Sequence, residues 1–378
     1  MSSDDLSFLP NLRFSIVIIN YNYSRFLGEA ISSALAINGV DREIIVVDDG
    51  STDNSAGVIA GFGDKIIPVF KTNGGALSCV NVGFCRSSGD IIVFLDADDR
   101  ISCNVARLVL SVWNQGVAKV QYLANVIDAN GASLGRVQPI FTKLLTQADI
   151  RQSLRNTANY LWSACSANAY ARWYLARILP LPVSYTAHKN APDDLLNPTA
   201  PLYGEVVTLQ VPLCDYRHHG ANDSALLQFD TNNALLQFDT NNIVRMVLRD
   251  RERLDFVSKR AVQRGIHISS DALLNCPYHM MTCVVIKKYL PESCPYDLTI
   301  LKITLYAVLA TVRYRCIGVS QKLVTIAWVL CLALAPERIV QRLIAIRYVP
   351  SSRPKWAARL ISLLRIKGEG GGAGVPEI

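Results

Sequence analysis

The sequence predicts an α/β fold in which helices cover a mostly parallel sheet, followed by a C-terminal helical extension. Over the first hundred residues, short runs rich in Val, Ile and Phe alternate with stretches of helical periodicity, a pattern typical of consecutive βαβ units. From about residue 226 the pattern changes to long stretches of helical periodicity. Half of the 378 residues are apolar, which is enough for a substantial core and excludes a disordered chain.

Each element of the first hundred residues follows from its local pattern. Apolar runs without polar alternation predict strands buried on both faces, because helices cover both sides of a parallel sheet. These runs cover residues 14–20, 43–47, 65–70 and 90–95. Stretches whose apolar residues recur at helical spacing predict the helices between and after them. They cover residues 25–37, 51–59, 75–85 and 104–113.

The remainder of the chain divides into a mixed middle part and the extension. Residues 119–124 and 206–216 are predicted as strands, and residues 168–179 as a helix. The nonapeptide ALLQFDTNN occurs twice without change, at 225–233 and 234–242, and indicates a local duplication within a helical segment. We therefore expect a leader at 1–13, an α/β domain at 14–224, a basic helical extension at 225–367 and a flexible tail at 368–378.

Charge is distributed unevenly along the chain. Residues 1–242 contain 17 Lys and Arg against 22 Asp and Glu, a net charge of −5, whereas residues 243–378 contain 21 against 9, a net charge of +12. An acidic domain is a poor nucleic-acid binder, and a basic, apolar extension suits an anionic membrane surface. Residues 337–367 combine Trp and Leu with Arg and Lys at helical spacing, which predicts either a helix in the membrane interface or a helical subdomain packed on itself.

The cysteines and the N-terminus favour a cytoplasmic protein. Ten cysteines occur without a CxxC pair or a Cys/His cluster at zinc spacing, so we expect reduced thiols and no structural zinc. The first residues are polar and acidic, unlike a secretory signal. The longest charge-free apolar run near the C-terminus, residues 323–335, is too short to span a bilayer. We expect a peripheral contact with the cytoplasmic face of the membrane.

Acidic side chains follow two of the predicted strands. Asp48 and Asp49 come after the second strand, and Asp96 and Asp98 after the fourth. Because the carboxyl ends of parallel strands meet at one edge of the sheet, these carboxylates are expected to share a crevice. Like charges repel there, and a hard divalent cation such as Mg²⁺ or Mn²⁺ relieves the repulsion. A solvated helix cap is the alternative for a single acid such as Asp53.

Four segments, in this order along the chain, resemble the inverting glycosyltransferases of family 2, whose GT-A fold is a three-layer sandwich around a mostly parallel sheet. The family's nucleotide-binding segment resembles IIVVDDGSTDNS, and its DxD segment resembles NGGALSCVNVGFCRSSGDIIVFLDADD. Its acceptor and base region resembles SANAYARWYLARILPLP followed by PDDLLN, and its closing turn resembles VPLCDYRHHGAND. The resemblance covers residues 14–222. It implies transfer of a sugar from a nucleoside diphosphate donor, with a UDP-sugar favoured, to an acceptor hydroxyl in cell-envelope or polysaccharide biosynthesis.

The resemblance also implies roles for individual residues. Asp193 matches the general base, and Asp194 is the alternative because the motif lacks the usual Glu-Asp form. His219 matches the histidine of the closing turn, with a purely structural turn histidine as the alternative. Many relatives have an arginine where this chain has Val80, so one contact with the diphosphate is missing. The implied nucleotide contacts are Asn22, Tyr23, Asp48, Asp49 and Asp96, and the implied metal ligands are Asp96, Asp98 and His219.

Three other functions compete with this interpretation. A sugar-phosphate nucleotidyltransferase needs a glycine-rich basic loop after the first strand, where this chain has NYNYSRF. A dehydrogenase of the dinucleotide-binding type needs GxGxxG at the same place. The third is a degenerate relative that acts as a non-catalytic binding or scaffold subunit. The intact DxD pair and the presence of Asp193 argue against that third alternative.

Overall fold

Strand β1 (Phe14–Asn20) lies between two parallel neighbours, β2 (Arg42–Asp48) and β4 (Ile91–Asp96). Strand β3 (Ile67–Phe70) continues the parallel half of the sheet beyond β2. The computed structural model describes residues 12–219, 227–229, 236–238, 240–336, 339–340 and 342–344. The helices along this half are α1 (Ser24–Leu35), α2 (Ser55–Ala60), α3 (Ala76–Arg86) and α4 (Val105–Leu110).

The second half of the sheet is mixed. Strand β8 (Asn168–Ala171) pairs antiparallel with both β4 and β6 (Val117–Ile127), and β6 runs parallel to the long strand β9 (Glu205–Arg217). The short strand β5 (Arg100–Ile101) pairs antiparallel with β9, and β7 (Ser133–Gln138) pairs antiparallel with β6. Between β7 and β9 lie the helices α5 (Gln147–Thr157), α6 (Arg172–Ile178) and α7 (Asp193–Tyr203).

The core of the α/β part forms where branched strand residues meet the apolar face of α1. Every residue of β1 is buried, as its largely apolar sequence predicts, and the polar Ser15 and Asn20 are buried with the rest. The buried residues of α1 recur at helical spacing and pack in the same cluster: they include Leu27, Ala30, Ile31 and Ala34. This packing holds the carboxyl ends of the parallel strands in place.

A second apolar core is built from helices. It contains residues of α8 (Thr240–Gln263), α9 (Pro277–Tyr289), α10 (Ile300–Arg313) and α11 (Val319–Leu334). The chain divides into two compact units, one comprising Met1–Ile140, Tyr160–His219 and Asp255–His267, the other Phe141–Asn159, Gly220–Leu254 and Ile268–Ile378.

The helical unit contains a buried polar cluster centred on His279. Its Nδ1 lies 2.6 Å from Asp250 Oδ2, and its Nε2 lies 3.0 Å from the hydroxyl of Tyr296. Arg253 forms an ion pair with the other oxygen of Asp250. Burial alone raises the pKa of Asp250, but the charge of Arg253 and the hydrogen bond from His279 outweigh it and lower the pKa to about 2.

Three expectations about secondary structure are wrong. Residues 65–70 do not form a doubly buried strand, because β3 is the edge strand and largely exposed. Residues 168–179 begin as β8 before α6 starts, because Asn168–Ala171 pairs with two neighbours. The LQF segment of each nonapeptide copy is not helical: Leu227–Phe229 and Leu236–Phe238 are strands that pair antiparallel with each other, and of the described residues in the two copies only the last ones of the second, 240–242, are helical as the start of α8. Two copies of a strand-forming LQF segment satisfy each other's backbone hydrogen bonds in this way.

Several other predictions concern segments that are only partly described. The leader at 1–13, the amphipathic segment at 337–367 and the tail at 368–378 lie outside the described residues, apart from 12–13, 339–340 and 342–344. Within the described part of the chain, no helix combines the length and apolar character needed to cross a membrane.

Candidate active site

The carboxyl ends of the three central parallel strands meet at one edge of the sheet. In the β1–β2 register Asn20 stands opposite Asp48, and in the β1–β4 register Ile19 stands opposite Asp96. The loops after these strands therefore emerge side by side, as predicted from the strand–helix alternation. The last residues of these strands and the loops that follow them include Asn22, Tyr23, Asp48, Asp49, Asp96 and Asp98.

The carboxylate of Asp48 is buried and accepts hydrogen bonds from the end of β1 and from the loop after β2. Asn20 Nδ2 donates to Asp48 Oδ2 at 2.7 Å, and the Ser51 hydroxyl donates to the same oxygen at 2.7 Å. The backbone N–H of Ser51 donates to Oδ1 at 2.9 Å. Asp48 therefore joins the ends of β1 and β2 and holds the loop that follows β2.

Asp49 holds the turn that leads into α3. It is 2% exposed, and it accepts hydrogen bonds from the backbone N–H groups of Gly74 and Gly75 at 2.9 and 2.7 Å. Lys71 donates to one of its oxygens. Gly75 has φ of +84°, and a Cβ there would lie 2.7 Å from the backbone carbonyl oxygen of Lys189, so only glycine fits this approach of two backbone segments.

Asn22 and Tyr23 follow β1 and retain accessible surface. Asn22 adopts φ of +59°, and its side-chain oxygen accepts from the Thr52 N–H at 2.7 Å. Tyr23 lies edge-on to the His219 ring, with 5.5 Å between ring centroids. Asn22 therefore links the loops after β1 and β2, whereas Tyr23 lies beside the end of β9.

Arg217, whose role was not evident from the sequence, forms hydrogen bonds with both Asp98 and Asp99 and so stabilises their turn. Arg217 is fully buried, and its Nε donates to the Asp98 carbonyl at 2.7 Å. Its backbone N–H donates to Asp99 Oδ1 at 2.9 Å, and its Nη2 donates to Glu29 Oε2 at 2.8 Å. The guanidinium also lies 4.7 Å from the centre of the Phe26 ring. An arginine at the end of a strand carried no distinguishing signal in the sequence.

His219 contacts the DxD pair directly. Its Nε2 lies 2.9 Å from Asp98 Oδ2, and both side chains are nearly buried. The rings of Tyr23 and Phe26 pack against the imidazole, with centroids 5.5 and 5.3 Å away. The structure thus brings together His219 and Asp98, which the sequence analysis assigned to one metal site.

The two candidate bases have different surroundings. Both lie in the first turn of α7, but Asp193 is close enough to Asp96 for its charge to raise the pKa of that carboxyl. Burial first, and then the charges of Asp98 and Asp193, raise the pKa of Asp96 to about 8. Asp194 Oδ2 instead lies 3.9 Å from Nε2 of the buried His188. Asp193 is therefore the candidate that shares the carboxylate cluster.

Lys119 is fully buried, near enough to Asp193 for the two charges to interact, and its role was not evident from the sequence. Lys119 Nζ donates to Asn197 Oδ1 at 2.8 Å and to Gln121 Oε1 at 2.9 Å. Tyr170 donates to the same oxygen of Asn197 at 2.9 Å, which ties β6 and β8 to α7. Burial lowers the pKa of Lys119 well below its usual value, and the charge of Asp193 partly opposes that effect. The signal in the sequence that could have pointed to Lys119 is the presence of a lysine in the predicted strand at residues 119–124.

The donor set fits a hard divalent cation that also binds phosphate. The elevated pKa values of Asp96 and of the buried Asp99 reflect carboxylates crowded into a desolvated turn, where added positive charge is stabilising. Among the described residues, no group of three or more His, Cys, Asp or Glu side chains is arranged to hold a metal ion by itself. Mg²⁺ in nucleotide sites typically uses one or two carboxylates and completes its shell with phosphate oxygens and water. Asp98 and His219, with Asp96 beside them, suit that arrangement.

Comparison with known proteins identifies the family. The model of Glycosyl transferase family 2 matches residues 15–168. An uncharacterized glycosyltransferase of Nostoc sp. is 36% identical over 219 residues, which is 56% of this chain and 66% of that protein. Residues 15–168 of the chain belong to glycosyltransferase family 2. The family-2 domain has the GT-A fold, as the sequence predicted.

Another relative matches a shorter stretch of the chain, and a solved structure aligns over most of it at low identity. An uncharacterized glycosyltransferase of Rickettsia prowazekii is 42% identical over 128 residues, or 33% of this chain and 40% of that protein. The crystal structure of S. aureus TarS 1–349 in complex with UDP-GlcNAc has a TM-score of 0.46 and 14% identity, covering 84% of this chain and 90% of the other. The chain therefore spans 66% of the Nostoc relative and 40% of the rickettsial relative.

Proposed function

We propose that this family-2 chain is an inverting glycosyltransferase that moves a sugar from a nucleoside diphosphate donor, with a UDP-sugar favoured, to an acceptor hydroxyl. One observation carries the proposal: three distant segments converge at the carboxyl edge of the sheet. Asp98 contacts His219 at 2.9 Å, and Asp193 lies close enough to Asp96 to perturb its pKa. A loop that cradles a diphosphate and a base across from it are the two parts that a single displacement needs.

Asp193 is the proposed general base. Its carboxylate accepts the proton of the acceptor hydroxyl as that oxygen attacks C1 of the donor sugar. The new bond joins C1 to the acceptor oxygen, and the bond between C1 and the phosphate oxygen breaks with its electron pair leaving on the nucleoside diphosphate. Attack opposite to the leaving group inverts the anomeric centre, so an α-linked donor yields a β-linked product.

Asp98, His219 and Asp96 are the proposed ligands for Mg²⁺ or Mn²⁺. When bound, such an ion stabilises the negative charge that develops on the departing diphosphate. The chain's own contribution is to keep the turn at Asp98 rigid, through the hydrogen bonds of the buried Arg217. Arg217 thereby acts as a positioning residue.

The proposed nucleotide contacts divide into two kinds. Asn22 and Tyr23 retain accessible surface and are proposed to touch the base and ribose directly. Asp48 accepts from Ser51 and Asp49 accepts from the turn before α3, so they shape the nucleotide pocket and exchange one of these hydrogen bonds when the base binds. A carboxylate at this place is suited to accept the N3–H of uracil.

The proposed acceptor is a glycan, a lipid-linked intermediate or a similar cell-envelope hydroxyl compound. Support for this comes from the family resemblance and from the basic, apolar character of residues 243–378. A peripheral membrane contact through residues 337–367 is part of the same proposal, and nucleic acid is not an expected partner.

Calorimetry with UDP, GDP and dTDP, each with Mn²⁺ and again with EDTA, tests the donor site. We expect binding of one nucleotide that depends on the metal and is lost in Asp98→Ala. Asp64→Ala, which removes an exposed acid remote from these loops in sequence, is the matched control and is expected to bind like the wild type. Asp193→Asn is expected to retain nucleotide binding and to lose sugar transfer. Absence of binding to all three nucleotides would contradict the proposal and favour the scaffold alternative.

A further inference from the structure

Helix α10 has apolar side chains on the side that does not pack in the core. Ile303 and Ala307 are fully buried in the helical core. Leu301, Leu305 and Leu309 expose 68%, 57% and 36% of their surface. At 3.6 residues per turn these three leucines lie on the side opposite to Ile303 and Ala307. A helix that is apolar on both sides needs a second apolar environment.

Helix α11 repeats this arrangement. Val329 and Leu332 are fully buried, whereas Leu323, Leu330 and Leu334 expose 62%, 42% and 76% of their surface on the opposite side. Single exposed apolar residues are ordinary, but two adjoining helices with leucine-lined outer sides indicate a docking surface. The "leucine faces" are defined here as Leu301, Leu305 and Leu309 of α10 with Leu323, Leu330 and Leu334 of α11.

The charged residues of the segment that carries the leucine faces all have the same sign. Residues 298–336 contain Lys302, Arg313, Arg315 and Lys322 and no acidic residue. Arg313 and Arg315 are exposed at the turn between the two helices. Burial, followed by the charges of Lys143 and Arg315, lowers the pKa of Lys322, which places these cations near one another. Apolar side chains bordered by cations match the boundary between acyl chains and anionic headgroups.

A membrane-spanning arrangement of these helices and a second copy of this chain match these features less well. Helices of 14 and 16 residues are too short to span a bilayer, so lipid contact means lying in its interface. A second copy bound through the same surface would bring like charges together across a two-fold axis, which is unfavourable. We propose that the leucine faces of α10 and α11 dock this chain onto an anionic lipid bilayer. This deepens the proposed membrane contact by adding residues outside 337–367 to it, and it does not rest on transferase activity.

Flotation with lipid vesicles tests the proposal on the full chain. The vesicles are phosphatidylcholine alone and phosphatidylcholine with one third phosphatidylglycerol. We expect the wild type to float with the anionic vesicles and to bind the neutral ones more weakly. The triple variant L301S/L305S/L309S is expected to lose at least about tenfold in partitioning, because less apolar surface enters the interface. I67S/V183S/V211S removes three exposed apolar residues elsewhere and is expected to partition like the wild type.

Two further variants distinguish the leucine faces from the 337–367 segment and measure the contribution of the cations. W356S/L360S/L363S alters apolar residues of the 337–367 segment and is expected to retain part of the vesicle binding; complete loss in this variant, with none in L301S/L305S/L309S, would overturn the proposal. R313Q/R315Q/K322Q is expected to abolish the preference for anionic vesicles. Circular dichroism confirms that each variant is folded. If sedimentation shows a dimer that L301S/L305S/L309S dissociates, with no vesicle binding by the wild type, the leucine faces are a self-association surface and the proposal fails.

Discussion

Replacing Arg217 by Met would remove a buried cation from behind the DxD turn while keeping most of the apolar stem. The hydrogen bond from Nε to the Asp98 carbonyl, at 2.7 Å, contributes about 1.5–3 kcal/mol because its donor is charged. The contact with the Phe26 ring at 4.7 Å adds about 0.5–2 kcal/mol. The pair with Glu29 adds at most about 1 kcal/mol, since 48% of that side chain is exposed. The expected loss of unfolding free energy is therefore about 4 kcal/mol.

Urea denaturation at neutral pH measures this loss, and nucleotide titration with Mn²⁺ measures its effect on the site. We expect donor-nucleotide affinity to fall as well, because the Asp98 carbonyl loses the hydrogen bond from the Arg217 side chain, although the backbone hydrogen bond to Asp99 remains. Arg100→Met is the matched control. Arg100 pairs with Asp215 at 2.9 Å and lies 3.6 Å from the same Glu29, but it is partly exposed, so its loss is expected to cost about 1 kcal/mol.

A loss of unfolding free energy in Arg217→Met that is no larger than the loss in Arg100→Met would refute this reasoning. It would mean that water replaces the guanidinium without loss of stability and that the buried contacts of Arg217 contribute nothing to the free energy of unfolding. A large loss of stability with unchanged nucleotide affinity would retain the stability estimate but refute the positioning role.

Three other predictions concern the base, a glycine and the helical unit. Asp193→Asn is expected to lower kcat for sugar transfer by about 10²–10⁴-fold and Asp194→Asn by much less, as measured by product formation; equal losses would contradict the choice of base. Gly75→Ala is expected to destabilise more than Gly39→Ala in thermal unfolding, because both have positive φ but only the first Cβ would meet neighbours within 4 Å; similar values would argue against the close approach. Asp250 has a pKa of about 2 against a usual value near 3.8, so its stabilisation of about 2 kcal/mol is present above pH 4 and lost as pH falls through 2. Asp250→Asn should therefore cost that amount at pH 7 and little near pH 2, as measured by urea unfolding; a pH-independent cost would contradict this.

Part of the candidate site was predictable because it depends on strand direction alone. Once residues 14–20, 43–47 and 90–95 are interpreted as parallel strands, the loops after them must emerge at one edge. The structure brings Asp96 and Asp98 to that edge together with His219 and Asp193. Predicting that His219 and Asp193 belong to the site required the family resemblance, because these residues lie about a hundred residues further along the chain.

Roles that depend on long-range packing were not predictable. Arg217 and Lys119 look like ordinary basic residues in the sequence, and their function follows from complete burial beside particular acceptors. Asp193 and Asp194 are neighbours in one motif, but the charge of Asp193 raises the pKa of Asp96, whereas Asp194 lies 3.9 Å from His188. No local pattern contains that information.

By itself, the sequence determined the family, the α/β class and the main strands and helices of the N-terminal domain, because apolar periodicity over a few residues decides which face of an element can be buried. Tertiary structure decided that residues 65–70 form an exposed edge, that both LQF segments pair as strands, and that α10 and α11 keep leucines on their outer sides. It also decided the protonation preferences of Asp96, Lys119 and Asp250. The physical reason is that edge position, desolvation and charge proximity depend on segments far apart in the chain, which meet only when it folds.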